Sequence, residues 1–343
     1  MNFKIFCSNG DLDGTINEGV AFDEWCDYNS HTQVWYASKK KQSISVLKRE
    51  MSNTGADVLF VIGIYGWRFN MVPLLFGPAR LKIISVRGML HPGALSQKPL
   101  KKKIYLAIWK LAGIHRRYIF HATDEQERDY IHQVFGKKAT VLIAGNYPGV
   151  LPIQQVVQKI PGELRMVSIA LISPMKNIAL VLDALATCKQ QVIYDIYGPV
   201  KDEGYWQDCL VKIGMLPPNI TVRYQGVLAP SKIASALSAY HVFILPSRSE
   251  NFGHAIYEAL SAGRPVITSH HTPFNGLYEQ QAGRNIGVED LPEISRAIAF
   301  FAEMDGAAFE KWNSGANKYS KKCIDPAQLK MQYDRLFGID CPY

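Results

Sequence analysis

His241 to Ser269 reads HVFILPSRSENFGHAIYEALSAGRPVITS, and its hydrophobic spacing changes character twice. Val242-Phe243-Ile244-Leu245 is a short, unbroken apolar run, the pattern of a parallel strand covered on both faces. Pro246 and the polar run Ser247-Arg248-Ser249-Glu250-Asn251 interrupt it. From Phe252 to Ala262 the apolar positions Ala255, Ile256, Ala259 and Leu260 fall at helical spacing. Gly263 suits the helix C-terminus, Pro265 bars continuation, and Val266-Ile267-Thr268 opens another strand. The expectation is a strand–loop–helix–strand unit of an α/β fold, with Glu250 in the loop and Glu258 in the helix.

Such a unit offers an anion site. In open α/β sheets, ligands bind beyond the carboxyl ends of the strands. The free N–H groups of a helix start, here Asn251 to His254, can hold phosphate, and Gly253 admits close backbone approach. Glu250 and Glu258, eight residues apart, lie about two turns from each other and can accept hydroxyl hydrogen bonds from different parts of one long ligand. A nucleotide sugar has that shape. The alternative from periodicity alone is a helix capped by Ser249 or Asn251, with both glutamates solvated.

The wording of the stretch resembles the E-x7-E segment of retaining glycosyltransferases of family 4, with ENFGH-x3-EAL-x2-G-x-PVI carrying the likeness. The resemblance implies the GT-B fold, two doubly wound Rossmann-like domains facing across a cleft. It implies a nucleoside-diphosphate sugar donor, UDP- or GDP-linked. Glu250 would touch the donor sugar, Glu258 the ribose, and Asn251, Phe252, Gly253 and His254 the phosphates and sugar. No resident cofactor or metal is implied.

Composition sets the frame. With 343 residues, 48% hydrophobic and 20% charged, the chain suits a soluble globular protein of two domains. No apolar run reaches the length of a membrane span, and Met1-Asn2-Phe3-Lys4 leads into a strand, not a signal peptide. Six scattered cysteines without metal-like spacing are expected to be free thiols of a cytoplasmic protein. Charge is unevenly placed. Residues 1–150 hold 20 Lys and Arg against 12 Asp and Glu, residues 151–343 hold 18 of each, and between Asp57 and Asp124 there are eleven basic residues and no acid.

In the first half, residues 3–7, Val34–Tyr36, Asp57–Ile62 and the run from Leu81 read as strands, and Ser43–Ser52 as a helix. Asp11-Leu12-Asp13 matches a D-x-D metal motif that is common by chance. Arg87-Gly88-Met89-Leu90 and His121 to Glu127 resemble a bacterial subgroup of family 4 that builds surface polysaccharide, in which Arg87 would face the cleft from the acceptor side. Without that resemblance Arg87 is a surface residue after a strand. The family histidine near Ile62-Gly63 is missing, and His91 is a candidate substitute. Residues 98–118, KPLKKKIYLAIWKLAGIHRRY, place Leu100, Ile104, Ala107, Ile108 and Leu111 on one helical stripe, widened by Tyr105, Trp109 and Ala112. Two readings stay open: a helix packed on its domain with a solvated basic face, or one that docks peripherally on anionic membrane lipid. No module for nucleic acid accompanies the charge.

Val150–Gly162 reads as a linker, dividing an N-terminal acceptor-side domain (1–155, rejoined by a tail from about 321 to 343) from a C-terminal nucleotide-sugar domain (156–320). In the second, Lys176 stands at the start of a helix, where the dipole disfavours a cation unless a polyanion sits there. In the family an arginine five residues earlier joins this lysine on the diphosphate. Leu171 occupies that position here, leaving Arg248 or Arg264 as replacements. Gly198, Val227 and Leu228 resemble the positions that read the base, though a plain strand end explains them too. The expected function is retaining transfer of a hexose to a glycan or lipid-linked acceptor, with Glu250, Lys176 and Arg87 as the catalytic set. The rival is a non-catalytic binding scaffold of a polysaccharide assembly.

Overall fold

The computed structural model describes residues 2–10, 16, 19–96, 98–153 and 157–339. Asp11-Leu12-Asp13 lies outside the described residues. The chain divides into two compact units, Met1–Gly145 with Ala327–Tyr343, and Asn146–Pro326.

The first unit opens with β1 (Phe3–Ser8), β2 (Trp25–Asn29) and β3 (Thr32–Ala37), hydrogen-bonded in the order β1-β3-β2. β1 runs parallel to β3 and β2 antiparallel to it, a strand the sequence did not announce. Helix α1 (Ile44–Thr54) starts where Ser43 caps Val46 N–H and stops at Gly55 in the left-handed region. There follow β4 (Val58–Ile62), α2 (Val72–Phe76), β5 (Leu81–Ser85), α3 (Pro92–Leu95), α4 (Pro99–Leu111), β6 (Ile119–Ala122), α5 (Glu125–Phe135) and β7 (Val141–Ile143). β4, β5, β6 and β7 form a parallel sheet in that order. Its core holds Ile84, Phe120 and Ala122 from the strands with Leu106, Trp109 and Phe135 from the helices.

The second unit contains β8 (Glu163–Ile169), α6 (Ile178–Leu185), β9 (Gln191–Tyr197), α7 (Glu203–Gly214), β10 (Ile220–Tyr224), α8 (Ile233–Leu237), β11 (Val242–Leu245), α9 (His254–Ser261), β12 (Val266–Ser269), β13 (Gly283–Ile286), α10 (Leu291–Ala302) and α11 (Gly306–Cys323). Its six strands are parallel, in the order β10-β9-β8-β11-β12-β13. The chain therefore builds outward from β8 through β9 to β10, then returns to β8's other edge with β11. The order reverses between β8 and β11, which is where a doubly wound sheet opens a crevice. Every residue of β11 is buried, as its unbroken apolar run requires. Successive β8 residues serve opposite faces: Met166 packs with α6 and α10, Val167 with Phe243 and α9.

Helix α12 (Pro326–Leu336) belongs to the first unit from Ala327 onward. Leu336, Tyr333 and Phe337 pack beside Ile83, Phe60 and Ala144. Among the described residues no helix is long and apolar enough to cross a membrane.

Candidate active site

The two strands flanking the reversal each deliver one charged side chain. After β8 the loop ends in a single 3-10 turn, Pro174–Lys176. After β11, Ser247 to Glu250 form a loop held by its own backbone. Arg248 N–H donates to Met175 O at 2.8 Å, Glu250 N–H to His271 O at 3.2 Å, and Ser269 Oγ donates to Ser247 O at 2.5 Å. The loop is thus tied to the segments following β8 and β12, and Glu250 has little freedom to wander. Lys176 Nζ meets Glu250 Oε1 at 2.5 Å, and Ser247 Oγ donates to the same oxygen at 2.7 Å. Both charged side chains are largely enclosed, 20% and 12% exposed, so their attraction is much stronger than that of a surface pair. Among the described residues, Glu250 Oε2 accepts no hydrogen bond.

Helix α9 begins beside this pair. Gly253 takes φ +75°, and a Cβ there would come within 3.2 Å of Ile256 Cδ1 and 3.3 Å of Phe274 Cε2, so both conformation and space call for glycine. No side chain caps α9, and none caps α6 after Asn177. By contrast α5, α7, α10 and α11 are capped by Asp124, Asp202, Asp290 and Asp305. Neither helix flanking the reversal carries a carboxylate at its start, a feature shared with α4 and α8, so the positive dipole ends and their N–H groups stay available to an anion. Asn251 and His254 are exposed at this start, and Phe252 packs on the His254 ring at 4.7 Å.

Glu258 sits half-buried in α9. Burial raises its pKa above the ordinary glutamate value, and its carboxylate takes no hydrogen bond among the described residues. A Cβ on Gly149 would stand 3.6 Å from its Oε1. Gly198 ends β9 at φ +133°, where a Cβ would sit 1.9 Å from Ala170 O, and its N–H donates to Gly226 O at 2.8 Å. Close packing of the β8 and β9 ends therefore accounts for this glycine without a ligand. Val227 is 71% exposed beyond β10 and Leu228 is half-buried. Leu171, at the position of the family arginine, is exposed. Arg264 is fully buried and follows the far end of α9, so it does not replace that arginine. Arg248 remains beside the Lys176 loop through its backbone, with its guanidinium on Glu289 at 3.1 Å.

Arg87 lies in the first unit, two residues past β5, exposed and at φ +47°. Its guanidinium is beside Tyr333 of α12 and partly offsets the burial that raises that phenol's pKa. Glu127 fixes the turn: its Oε1 accepts from Gly88 N–H at 2.5 Å, and its Oε2 from Thr123 N–H at 2.7 Å and Thr123 Oγ at 2.9 Å. His121 is buried below, its ring nitrogens 2.8 Å from Ser85 Oγ and Ala144 O, with a pKa lowered by burial. His91 uses Nδ1 to accept from Gly93 N–H at the start of α3. Sequence reasoning singled out neither Ser247 nor Glu127. The first polar residue after a buried strand, and D-x-x-E at a helix start, were the available signals.

Residues 152–318 match the family model described as glycosyl transferases group 1. The matched residues lie within the second unit. The chain is 23% identical over 347 residues to the amylovoran biosynthesis glycosyltransferase AmsK of Erwinia amylovora, covering 84% of this chain and 80% of the relative. A shorter match, 33% identical over 113 residues, links 33% of the chain to 25% of the alpha-monoglucosyldiacylglycerol synthase of Streptococcus pneumoniae. Among solved structures, sucrose-phosphate synthase from Thermosynechococcus elongatus superposes with TM-score 0.68 at 16% identity, covering 98% of this chain and 88% of that one. Anabaena HepE in complex with UDP and glucose gives 0.64 at 15%, covering 90% and 86%. These neighbours are glycosyltransferases of the GT-B fold, and the likeness places this chain in that fold.

Proposed function

We propose that the protein is a retaining, metal-independent hexosyltransferase of family 4 that moves a hexose from a UDP- or GDP-linked donor to a hydroxyl of a glycan or lipid-linked acceptor in surface-polysaccharide synthesis. The observation that carries this reading is the Lys176–Glu250 pair at the sheet's reversal, between two uncapped helix starts. A diphosphate entering there meets Lys176 Nζ and the α9 amides around Phe252-Gly253. Glu250 then keeps its Ser247 hydrogen bond and turns its open Oε2 toward sugar hydroxyls. The bond from the anomeric carbon to the diphosphate breaks, the bond to the acceptor oxygen forms, and the acceptor proton is released. Charge gathers on the leaving diphosphate, and preorganised donors aimed at that charge lower the barrier. Glu250 fixes the sugar so that its anomeric carbon faces the acceptor. Glu258 takes the ribose, and Gly198, Val227 and Leu228 lie beside the base. Arg87 serves the acceptor side. The kinship with AmsK, an amylovoran biosynthesis enzyme by name, supports a polysaccharide product, and the match to a diacylglycerol-glycolipid synthase supports a lipid-linked acceptor.

The test is a panel of UDP- and GDP-hexoses assayed for nucleoside-diphosphate release with and without EDTA. One donor is turned over in both conditions, and Glu250→Gln lowers kcat by about 10²–10³-fold. A donor that binds but is never consumed would instead favour the scaffold reading, which the exposed Leu171 in place of the family arginine recommends.

A further inference from the structure

Helix α4 faces the opposite way from what its hydrophobic period implies. The residues that anchor it to the first unit are Leu106 and Trp109, both buried, with Tyr105, whose hydroxyl donates to Ile64 O at 2.7 Å. Trp109 packs against Tyr105 and Phe135 with ring centroids 5.9 and 6.0 Å apart. The longer stripe points outward: Leu100 is 71% exposed, Ile104 and Ile108 55%, and Leu111 88%, with Ala107 exposed between them. An unbroken ridge of large aliphatic side chains in water is an unfavourable surface for a soluble protein unless something covers it.

Charge indicates what covers it. At helical spacing Lys103 and Lys110 fall on one flank of the ridge and Lys101 on the other, all exposed. Lys98 precedes the helix, Arg116 and Arg117 follow it, and these too are exposed. Lys102, on the inner side, bonds Ala94 O. No acidic residue occurs in the chain between Asp57 and Asp124. Two copies meeting ridge to ridge would bring like-charged rims together. An anionic bilayer satisfies both features, taking the aliphatic side chains at the acyl boundary and the lysines at the headgroups.

We propose that the outward face of α4 is a docking surface for an anionic lipid bilayer. It does not rest on the reading of the transfer site. The test is flotation of the full chain with vesicles of phosphatidylcholine alone, or of phosphatidylcholine mixed with phosphatidylglycerol. The protein floats with the anionic vesicles, stays behind with the neutral ones, and detaches as salt is raised. Ile104→Glu/Ile108→Glu and Lys101→Glu/Lys103→Glu/Lys110→Glu each lower the partition coefficient by about a hundredfold. All five side chains are exposed, so circular dichroism and Tm stay at wild-type values and donor turnover in free solution is unchanged. Three results would overturn the proposal: wild-type protein that does not float with anionic vesicles, a ridge variant that floats as well as wild type, or a dimer in solution that the ridge variant dissolves, which would assign the face to a second copy.

Discussion

Two loops at strand ends in this molecule are each held by an enclosed glutamate, and they use the glutamate in opposite ways. After β5, Glu127 spends both oxygens on Gly88 N–H, Thr123 N–H and Thr123 Oγ. After β11, Glu250 gathers Lys176 and Ser247 on one oxygen and leaves the other open among the described residues. A carboxylate consumed by backbone donors shapes a turn. One held rigidly with an oxygen to spare is ready to bind. On the proposed function the difference separates a positioning group from a group that touches substrate, although both are enclosed carboxylates at the carboxyl end of a parallel sheet.

The comparison breaks if the two glutamates respond alike to removal of charge. Glu250→Gln is expected to lose about 10²–10³-fold in kcat and also to lower Tm, because the enclosed Lys176 loses its counter-charge. Glu127→Ala should lower stability and leave kcat near the wild-type value. It removes three hydrogen bonds to an ionised acceptor and leaves two backbone N–H groups unpaired, costing about 2–4 kcal/mol in denaturant unfolding. Donor binding should stay intact. If Glu127→Ala abolished donor binding at unchanged stability, the distinction would fail.

Glu258 gives the smallest and most specific effect. Burial raises its pKa in the folded state, so the folded protein holds this proton more readily than the unfolded chain. Its contribution to stability is complete below the unfolded pKa and is lost as pH rises through the folded value. Once ionised, the carboxylate is therefore a burden on the fold, and the proposed ribose contact accounts for its presence. Glu258→Gln should raise Tm at pH 7, with the gain vanishing as pH falls below the ordinary glutamate range, while KM for the donor rises several-fold. A lowered Tm at pH 7 would contradict this account of the site.

The β11–α9–β12 unit was legible because a strand covered on both faces must be continuously apolar, and because Gly263 and Pro265 punctuate the helix end. Lys176 was legible as a cation where a helix start disfavours one. Its approach to Glu250 across 74 positions of sequence was not, since only the order of β8 and β11 in the sheet creates it. Helix α4 was read correctly as a helix, but which of its faces turns inward was left open between two readings. Periodicity counts apolar residues, and five on one stripe outnumber Leu106 and Trp109, yet one indole between Tyr105 and Phe135 settles the packing. Helix α11 escaped because Gly306 and Gly315 dilute its pattern. A Cβ on Gly315 would stand 2.3 Å from Gln281 O, so the glycine that obscures the helix is also what lets it pack.

The central claim is that a pyrophosphate lodges where the second sheet changes direction, gripped by an ammonium and by uncapped amides. A crystal structure with the donor that stabilises the protein most in a thermal-shift screen tests it most directly. The diphosphate should lie within hydrogen-bond distance of Lys176 Nζ and the first amides of α9, with a sugar hydroxyl on Glu250. A nucleotide bound elsewhere, or a Lys176–Glu250 pair that stays closed and untouched beside it, would contradict the account.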